Sequence, residues 1–429
     1  MQQVLKELFE VGIEAVNPYL AVKMALERHQ DEIKSYKNVV VIGLGKAACA
    51  MGKAAQEVLE ITDGLAVTKY KHAYPLDKIK VFEAGHPVPD ENGVRATEMA
   101  LKIVDKYAHA QTVFICLISG GGSALFIAPY DGLNLEEKQT ITQLLLNSGA
   151  NIYELNAVRK HLSKVKGGRL AERMYPARII SLILSDVIGD KLDVIASGPT
   201  APDESTYQDA WNILERYQLV PQVPVSIKEV LIKGQRGIFP ETLKPQSPVF
   251  KRVTNSIIGS NRSALQAIKQ EAQNRGFKAQ IISAELQGEA KEVGKRLARL
   301  ALKTQAQLEN NSLCLISGGE TTVTVKGNGL GGRNMELGLA FAMEIAGKKG
   351  IWLLSAGSDG TDGPTDAAGA IVDGETTVKA KKMGIDPKVY LENNDSYNFF
   401  KKVGGLLITG PTGTNVMDIQ IMIIKPIIE

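Results

Sequence analysis

Apolar positions along this chain alternate between two periods. Val4, Leu5, Leu8, Phe9 and Ile13 fall at helical spacing, so residues 2–16 predict a helix; Asn17-Pro18 then reads as a cap and first-turn pair opening a second helix to about residue 32. Residues 39–42 are a short apolar run, a buried strand, followed by glycines and a helix to about Glu60. Further strands are expected at 64–69, 79–84, 112–118 and 179–185, and helices at 91–107, 135–149 and 167–174. Residues 234–250 hold Pro240, Pro245 and Pro248 without clear periodicity and read as a linker. The alternation then restarts, with strands at 254–259, 278–283, 312–317, 351–356, 368–373 and 405–409 and helices at 260–275, 288–308 and 334–346. The run 419–424 reads as a strand closing a second sheet, and 386–404 has no clear assignment. The fold class is α/β, with mainly parallel strands covered by helices on both faces. Ligands of such sheets bind beyond the carboxyl ends of the strands, so the loops after Ile42, Ile118 and Leu184 are candidates for one rim.

One phrase is used twice. Cys-Leu-Ile-Ser-Gly-Gly begins at Cys116 and again at Cys314, each time an apolar run followed by a glycine turn. Successive glycine N–H groups can form a nest for phosphate or carboxylate. A tight strand-to-helix turn is the alternative. Hydroxyls in both copies (Ser119, Ser123; Ser317, Thr321) favour a ligand and suggest two related halves facing one site.

The 429-residue chain is too long for one ordinary core, and two domains are expected, 1–240 and 250–429. A 44% hydrophobic and 23% charged composition is that of a soluble globular protein. The net charge of +3 gives no bulk reason to bind nucleic acid. Cys49, Cys116 and Cys314 have no metal-type spacing and form no disulfide framework. Neither a signal peptide nor a run of 18 apolar residues is seen, so a cytoplasmic protein without membrane spans is expected. A homodimer is the base-rate expectation.

Candidate chemistry sits in the loops. Gly43-x-Gly45-x-x-Ala48 after a strand is similar to a dinucleotide fingerprint, but Lys69, Tyr70 and Lys71 stand where an acid would hold a ribose. Lys46 opens a helix, where a cation gains nothing from the helix dipole, so an anion nearby is expected. Residues 151–173 hold Asn156, Arg159, Lys160, His161, Lys164, Lys166 and Arg169, either a solvated basic face or a positive wall for an anionic substrate. Gly327-x-Gly329-x-Gly331-Gly332-Arg333-Asn334 is either a mobile surface loop or one that closes over a ligand, with Arg333 suited to bidentate phosphoryl contact. Asp359, Asp362 and Asp366 sit among glycines and hydroxyls, either holding magnesium or forming Asx turns. Phosphoryl transfer needs cations on the moving group, and Lys46 and Arg333 would supply them.

Together these motifs resemble the glycerate kinase type II family, whose C-terminal part is the MOFRL domain. Gly43-Leu-Gly45-Lys46-Ala47, Ala84-Gly-His86-Pro-Val-Pro-Asp90, Ser119-Gly-Gly-Gly-Ser123, Asn156-Ala-Val-Arg159-Lys160-His161, Ser185-Asp186-Val-Ile-Gly-Asp190, Ser317-Gly-Gly-Glu320-Thr321, Gly331-Gly-Arg333-Asn334 and Gly357-Ser-Asp359-Gly-Thr-Asp362-Gly carry the resemblance, in that order, over nearly the whole chain. It implies an N-terminal Rossmann-like domain, a smaller C-terminal α/β domain with a mixed sheet, and an active site in the cleft between them. It implies ATP-dependent phosphorylation of D-glycerate, usually at carbon 2, with Lys46 and Arg333 as catalytic cations. On this reading Ser119, Gly120, Gly121, Gly122, Ser123, Asn156, Arg159 and Lys160 bind glycerate. Gly43, Gly45, Gly318, Gly319, Glu320, Gly331, Gly332 and Asn334 bind ATP, and Asp186 and Asp359 contact Mg²⁺. An NAD(P)-dependent hydroxypyruvate reductase is the alternative, since some family members carry that label.

Overall fold

The computed structural model describes residues 1–427. The chain divides into two compact units, one of residues 18–258 and one joining 1–17 to 259–429.

The larger unit is built on a six-stranded sheet ordered β3-β2-β1-β4-β5-β6. Its strands are β1 Asn38–Leu44, β2 Asp63–Lys69, β3 Lys80–Ala84, β4 Thr112–Ile118, β5 Arg178–Leu184 and β6 Val253–Gly259. The pairs from β3 through β5 are parallel. Every residue of β4 is buried, as a central parallel strand covered on both faces must be. Its glycine turn therefore emerges at the middle of the sheet's carboxyl edge, directly beside that of β1.

A satellite cluster of helices packs beside this sheet. Leu135–Asn147 and Ile152–His161 each start with an asparagine capping box, and Tyr207–Arg216 with a threonine one. Tyr207–Arg216 and Val225–Gln235 had no counterpart in the sequence reading. A methyl at Gly234 would lie 2.3 Å from the Tyr207 ring, so the glycine admits the largest fully buried side chain of the protein. The stretch read as a linker is packed into this unit: Thr242, Leu243 and Val249 are buried, and Leu243 exchanges backbone bonds with Gly167 and Asp203.

The smaller unit has a mixed six-stranded sheet ordered β11-β10-β9-β12-β8-β7. Its strands are β7 Lys278–Leu286, β8 Leu313–Gly319, β9 Ile351–Gly357, β10 Gly369–Asp373, β11 Leu406–Leu407 and β12 Asp418–Ile424. Only β7 and β8 among its registered pairs run parallel. β12, expected to close the sheet, lies inside it between β9 and β8 and is buried at every position. Residues 386–404 form two helices, Pro387–Glu392 and Ser396–Val403. The N-terminal helix Gln2–Glu14 packs on Asn261–Asn274, with Gly12 against Ile268.

Candidate active site

At the carboxyl edge of the larger sheet, two loops are zipped together. Ser119 N–H donates to Leu44 O at 2.9 Å, Lys46 N–H to Gly120 O at 2.9 Å, and Ala47 N–H to Ser119 Oγ at 3.1 Å. A Cβ at Gly45 would lie 2.3 Å from Ser119 Oγ, and Gly45 has φ +118°. The glycine is thus required by packing and backbone together. Gly43 lies inside β1, paired with Ala66 and Leu117. The apparent dinucleotide fingerprint is therefore a strand residue plus a close-packed turn. The buried hydroxyl of Ser119 ties the two loops.

Gly120 and Gly121 form the floor beyond these loops. A Cβ at Gly120 would lie 2.0 Å from Asp186 Oδ2. One at Gly121, whose φ is +82°, would meet His86 Cδ2 at 2.9 Å and Lys46 Cγ at 3.4 Å. The carboxylate of Asp186 thus lies against one glycine, and the His86 ring and the Lys46 stem against the next. Burial, then the charges of Lys46, Lys69 and His72, push the His86 imidazole down to about 4. Lys69 ends β2 at the same edge, so the positive charge expected of Lys46 alone is shared with a second lysine, and the neutral His86 ring follows β3. The sequence carried a trace of it in Lys69 and in the Gly-His-Pro motif, but neither was read as part of the site.

Ser123, Asn156, Arg159 and Lys160 divide differently from expectation. Ser123 Oγ lies 2.7 Å from Ser197 Oγ, which donates to Asn156 Oδ1 at 3.0 Å. Lys166 Nζ donates to Ser123 O at 2.7 Å and Oγ at 3.0 Å, and Arg159 reaches Ser123 O at 3.5 Å. Lys160 is buried in ion pairs with Asp193 at 3.0 Å and Asp203 at 3.2 Å. Arg169 spends its guanidinium on Lys160 O, Ser163 O, Tyr207 OH and Pro240 O. His161 is held between Ala157 O and Glu241. Among the described residues, Lys138, Arg159 and Lys166 form no ion pair. Burial, then neighbouring cations, draws Lys138 down to about 7 and Lys166 well below the usual lysine range; burial draws Arg159 to about 10. Burial thus works against the charge of these basic groups, and an arriving anion would restore it. Ser197 is the site residue missed, and Lys166 was named only within the basic stretch. Ala196 and Ser197 hold left-handed φ values of +50° and +60°, a strain with no sequence signature outside glycine.

In the smaller unit Arg333 opens the helix Arg333–Glu344. Its Nε and one terminal nitrogen hold Asp418 at 2.7 and 3.0 Å, and the other holds Glu320 at 2.7 Å. Read from the sequence as suited to bidentate phosphoryl contact, it already has two carboxylate partners, and its side chain remains a third exposed. Burial works against its charge, but Asp418 and then Glu320 raise its pKa further. Gly318 and Gly319 lie within β8; a Cβ at Gly318 would be 2.0 Å from Asn261 Oδ1, and one at Gly319 2.3 Å from Leu286.

The glycine loop before Arg333 is buckled down. Lys326 and Gly327 N–H groups donate to Asn394 Oδ1, Asn328 N–H to Asn393 Oδ1 and Leu330 N–H to Asp395 Oδ1. Cβ atoms at Gly327 and Gly329 would fall 2.3 and 2.4 Å from Asn393 and Asp395. These glycines permit close packing rather than mobility. Gly331 and Gly332 likewise abut Ser396 and Asp362. Asn334 is buried, bonded to Asp362 and Ser355.

The acidic loop follows the Asx alternative. Asp359 Oδ1 accepts from Thr361 N–H and Oγ1, Asp362 caps the helix through Asn334 and Met335 N–H, and Asp366 accepts from Tyr397 OH. Among the described residues no three His, Cys, Asp or Glu side chains gather as a metal site. Isolated carboxylates fit an ion that arrives on phosphates, since magnesium keeps waters and needs only one or two protein ligands.

Residues 4–232 match a family model described as a domain of unknown function, DUF4147, and residues 313–418 match the MOFRL family. A D-glycerate 2-kinase of Thermotoga maritima is 49% identical, covering 97% of each chain. A glycerate 2-kinase of Pyrococcus horikoshii is 46% identical over 96% of this chain and 95% of its own. The crystal structure of a Thermotoga maritima glycerate kinase superposes with a TM-score of 0.90 at 47% identity, covering 99% of each chain.

Proposed function

The chain belongs to the glycerate kinase type II family, and from that premise we propose how its residues divide one phosphoryl transfer. The protein is a glycerate 2-kinase: ATP phosphorylates D-glycerate at the 2-hydroxyl, giving 2-phospho-D-glycerate and ADP. The observation that carries the residue assignment is the glycine floor of residues 120–121, set between Asp186 on one side and Lys46 with His86 on the other.

The glycerate carboxylate binds at the buried basic groups around Ser123, with Arg159 as its direct partner and Lys166 behind it. Gly120, Gly121 and Gly122 let the substrate approach the backbone. Ser119, Asn156 and Lys160 act one step back, through the Lys46 loop, Ser197 and Asp203 respectively. Lys46 and Arg333 stabilise the charge of the moving phosphoryl group. Asp418 and Glu320 fix the plane of the guanidinium, so that its remaining N–H groups are presented without loss of side-chain freedom on binding. Gly331, Gly332 and Asn334 set the start of its helix. Gly43, Gly45, Gly318 and Gly319 shape the strand ends that receive the nucleotide. Asp186 and Asp359 are the carboxylates that would hold Mg²⁺, which supplies charge neutralisation on the ATP phosphates. The functional domains are assigned to 1–240 and 250–429, each of which contains one matched family segment. Three buried free thiols suit a reducing cytoplasm.

No observation favours a reductase, because packing alone accounts for the glycines of its fingerprint. Incubation with D-glycerate, ATP and Mg²⁺ read by phosphorus NMR tests the assignment. A phosphomonoester coupled to the carbon-2 proton is expected; oxidation of NAD(P)H with hydroxypyruvate and no phosphomonoester would refute it.

A further inference from the structure

We propose that His86 is the group that accepts the proton of the attacking glycerate hydroxyl. The proposal rests on the kinase activity stated above and adds a catalytic residue to it.

The ring is half-buried on the same glycine that carries the Lys46 stem, with its Cδ2–Nε2 edge toward Gly121: a Cβ there would lie 2.9 Å from Cδ2 and 3.1 Å from Nε2. Among the described residues none hydrogen-bonds either ring nitrogen of His86. His29, His109 and His161 are all bonded, to Glu32, Thr112 and the Ala157–Glu241 pair. His72 lies on the exposed surface. A half-buried imidazole with both nitrogens unclaimed, beside the catalytic lysine, is what a proton acceptor requires.

Electrostatics agree with the geometry. Burial and the charges of Lys46, Lys69 and His72 keep the ring neutral near pH 7, with a lone pair available. Arriving ATP and glycerate offset those same positive charges and so raise the basicity of the ring when the hydroxyl is in place. Asp186, against Gly120, is the rival acceptor. A carboxylate beside the anionic phosphoryl group adds like-charge repulsion, which a neutral imidazole does not. In the step itself, O2 of glycerate bonds to the γ-phosphorus as the bond to the bridging oxygen breaks. ADP leaves with that electron pair, and the hydroxyl proton passes to His86 and then to water.

The test is steady-state kinetics of His86→Gln and Asp186→Asn with D-glycerate and Mg·ATP, alongside thermal midpoints. Glutamine keeps hydrogen bonding but takes no proton. His86→Gln should lower kcat about 10²-fold or more. The KM for glycerate should stay within threefold, and the midpoint should not move. The acid limb of wild-type kcat should disappear in His86→Gln, which a merely structural residue would not cause. A His86→Gln kcat within threefold of wild type overturns the proposal. So does a loss confined to KM, or an acid limb that disappears in Asp186→Asn and persists in His86→Gln. Absence of 2-phosphoglycerate with wild-type enzyme would instead strike the activity itself.

Discussion

Arg333 grips Asp418 through two parallel hydrogen bonds of 2.7 and 3.0 Å, and that carboxylate is wholly buried. The pair separates a structural from a chemical role. Arg333→Ala leaves an unpartnered buried charge and should cost about 3 kcal/mol of stability. It should also lower turnover about 10³-fold. Adding Asp418→Asn should return much of the stability, read by urea unfolding, and none of the turnover. Recovery of both would mean that Arg333 only holds the fold.

Ser119 offers the opposite case. Its hydroxyl receives the Ala47 N–H in the buried seam between two loops. Ser119→Ala should destabilise by about 1–3 kcal/mol through that orphaned donor. The KM for glycerate should change little once the variant is assayed below its melting range. A selective rise in KM at unchanged stability would restore Ser119 to direct substrate contact.

Lys166 has no carboxylate partner, so its amine adds little to folding while the site is empty. Lys166→Met should keep the thermal midpoint within a few degrees and raise the KM for glycerate about tenfold, the loss of an amine that takes up charge behind Arg159 when the carboxylate binds. An unchanged KM would place the carboxylate elsewhere.

Asp362 supplies a pH signature. Burial raises its carboxyl to about 7 despite the Asn334 and Met335 N–H groups. The folded protein then holds a proton that the unfolded chain has released above its ordinary carboxylate value. Stability tied to this group is therefore present below about pH 4 and is lost as pH rises toward 7. Urea midpoints at pH 5 and 7.5 should fall in wild type relative to Asp362→Asn. Parallel behaviour of the two proteins would show that the cap is ionised throughout.

Periodicity placed most elements to within a few residues, because the central strands are buried on both faces and read as unbroken apolar runs. It failed where pairing decides. Residues 405–409 shrink to Leu406–Leu407, and the run at 419–424 takes a central place that no local pattern encodes. At the site, residue types were legible but partners were not. Lys46 lies against the glycine floor and Ser123 is held by Ser197 and Lys166, while Lys160 is consumed by Asp193 and Asp203, which are 33 and 43 residues away in the chain. Glycine was ambiguous throughout, because close packing and ligand approach ask for the same missing side chain.

The place of β12 also bears on synthesis. Residues 18–258 emerge from the ribosome as one contiguous stretch, whereas the mixed sheet lacks a central strand until Asp418–Ile424 has been made. The helix Gln2–Glu14 is made before the larger unit yet belongs to the smaller one. That helix must wait, uncovered, until Asn261–Asn274 has been made, and a ribosome stalled shortly before Asp418 would hold a half-open sheet exposed to chaperones.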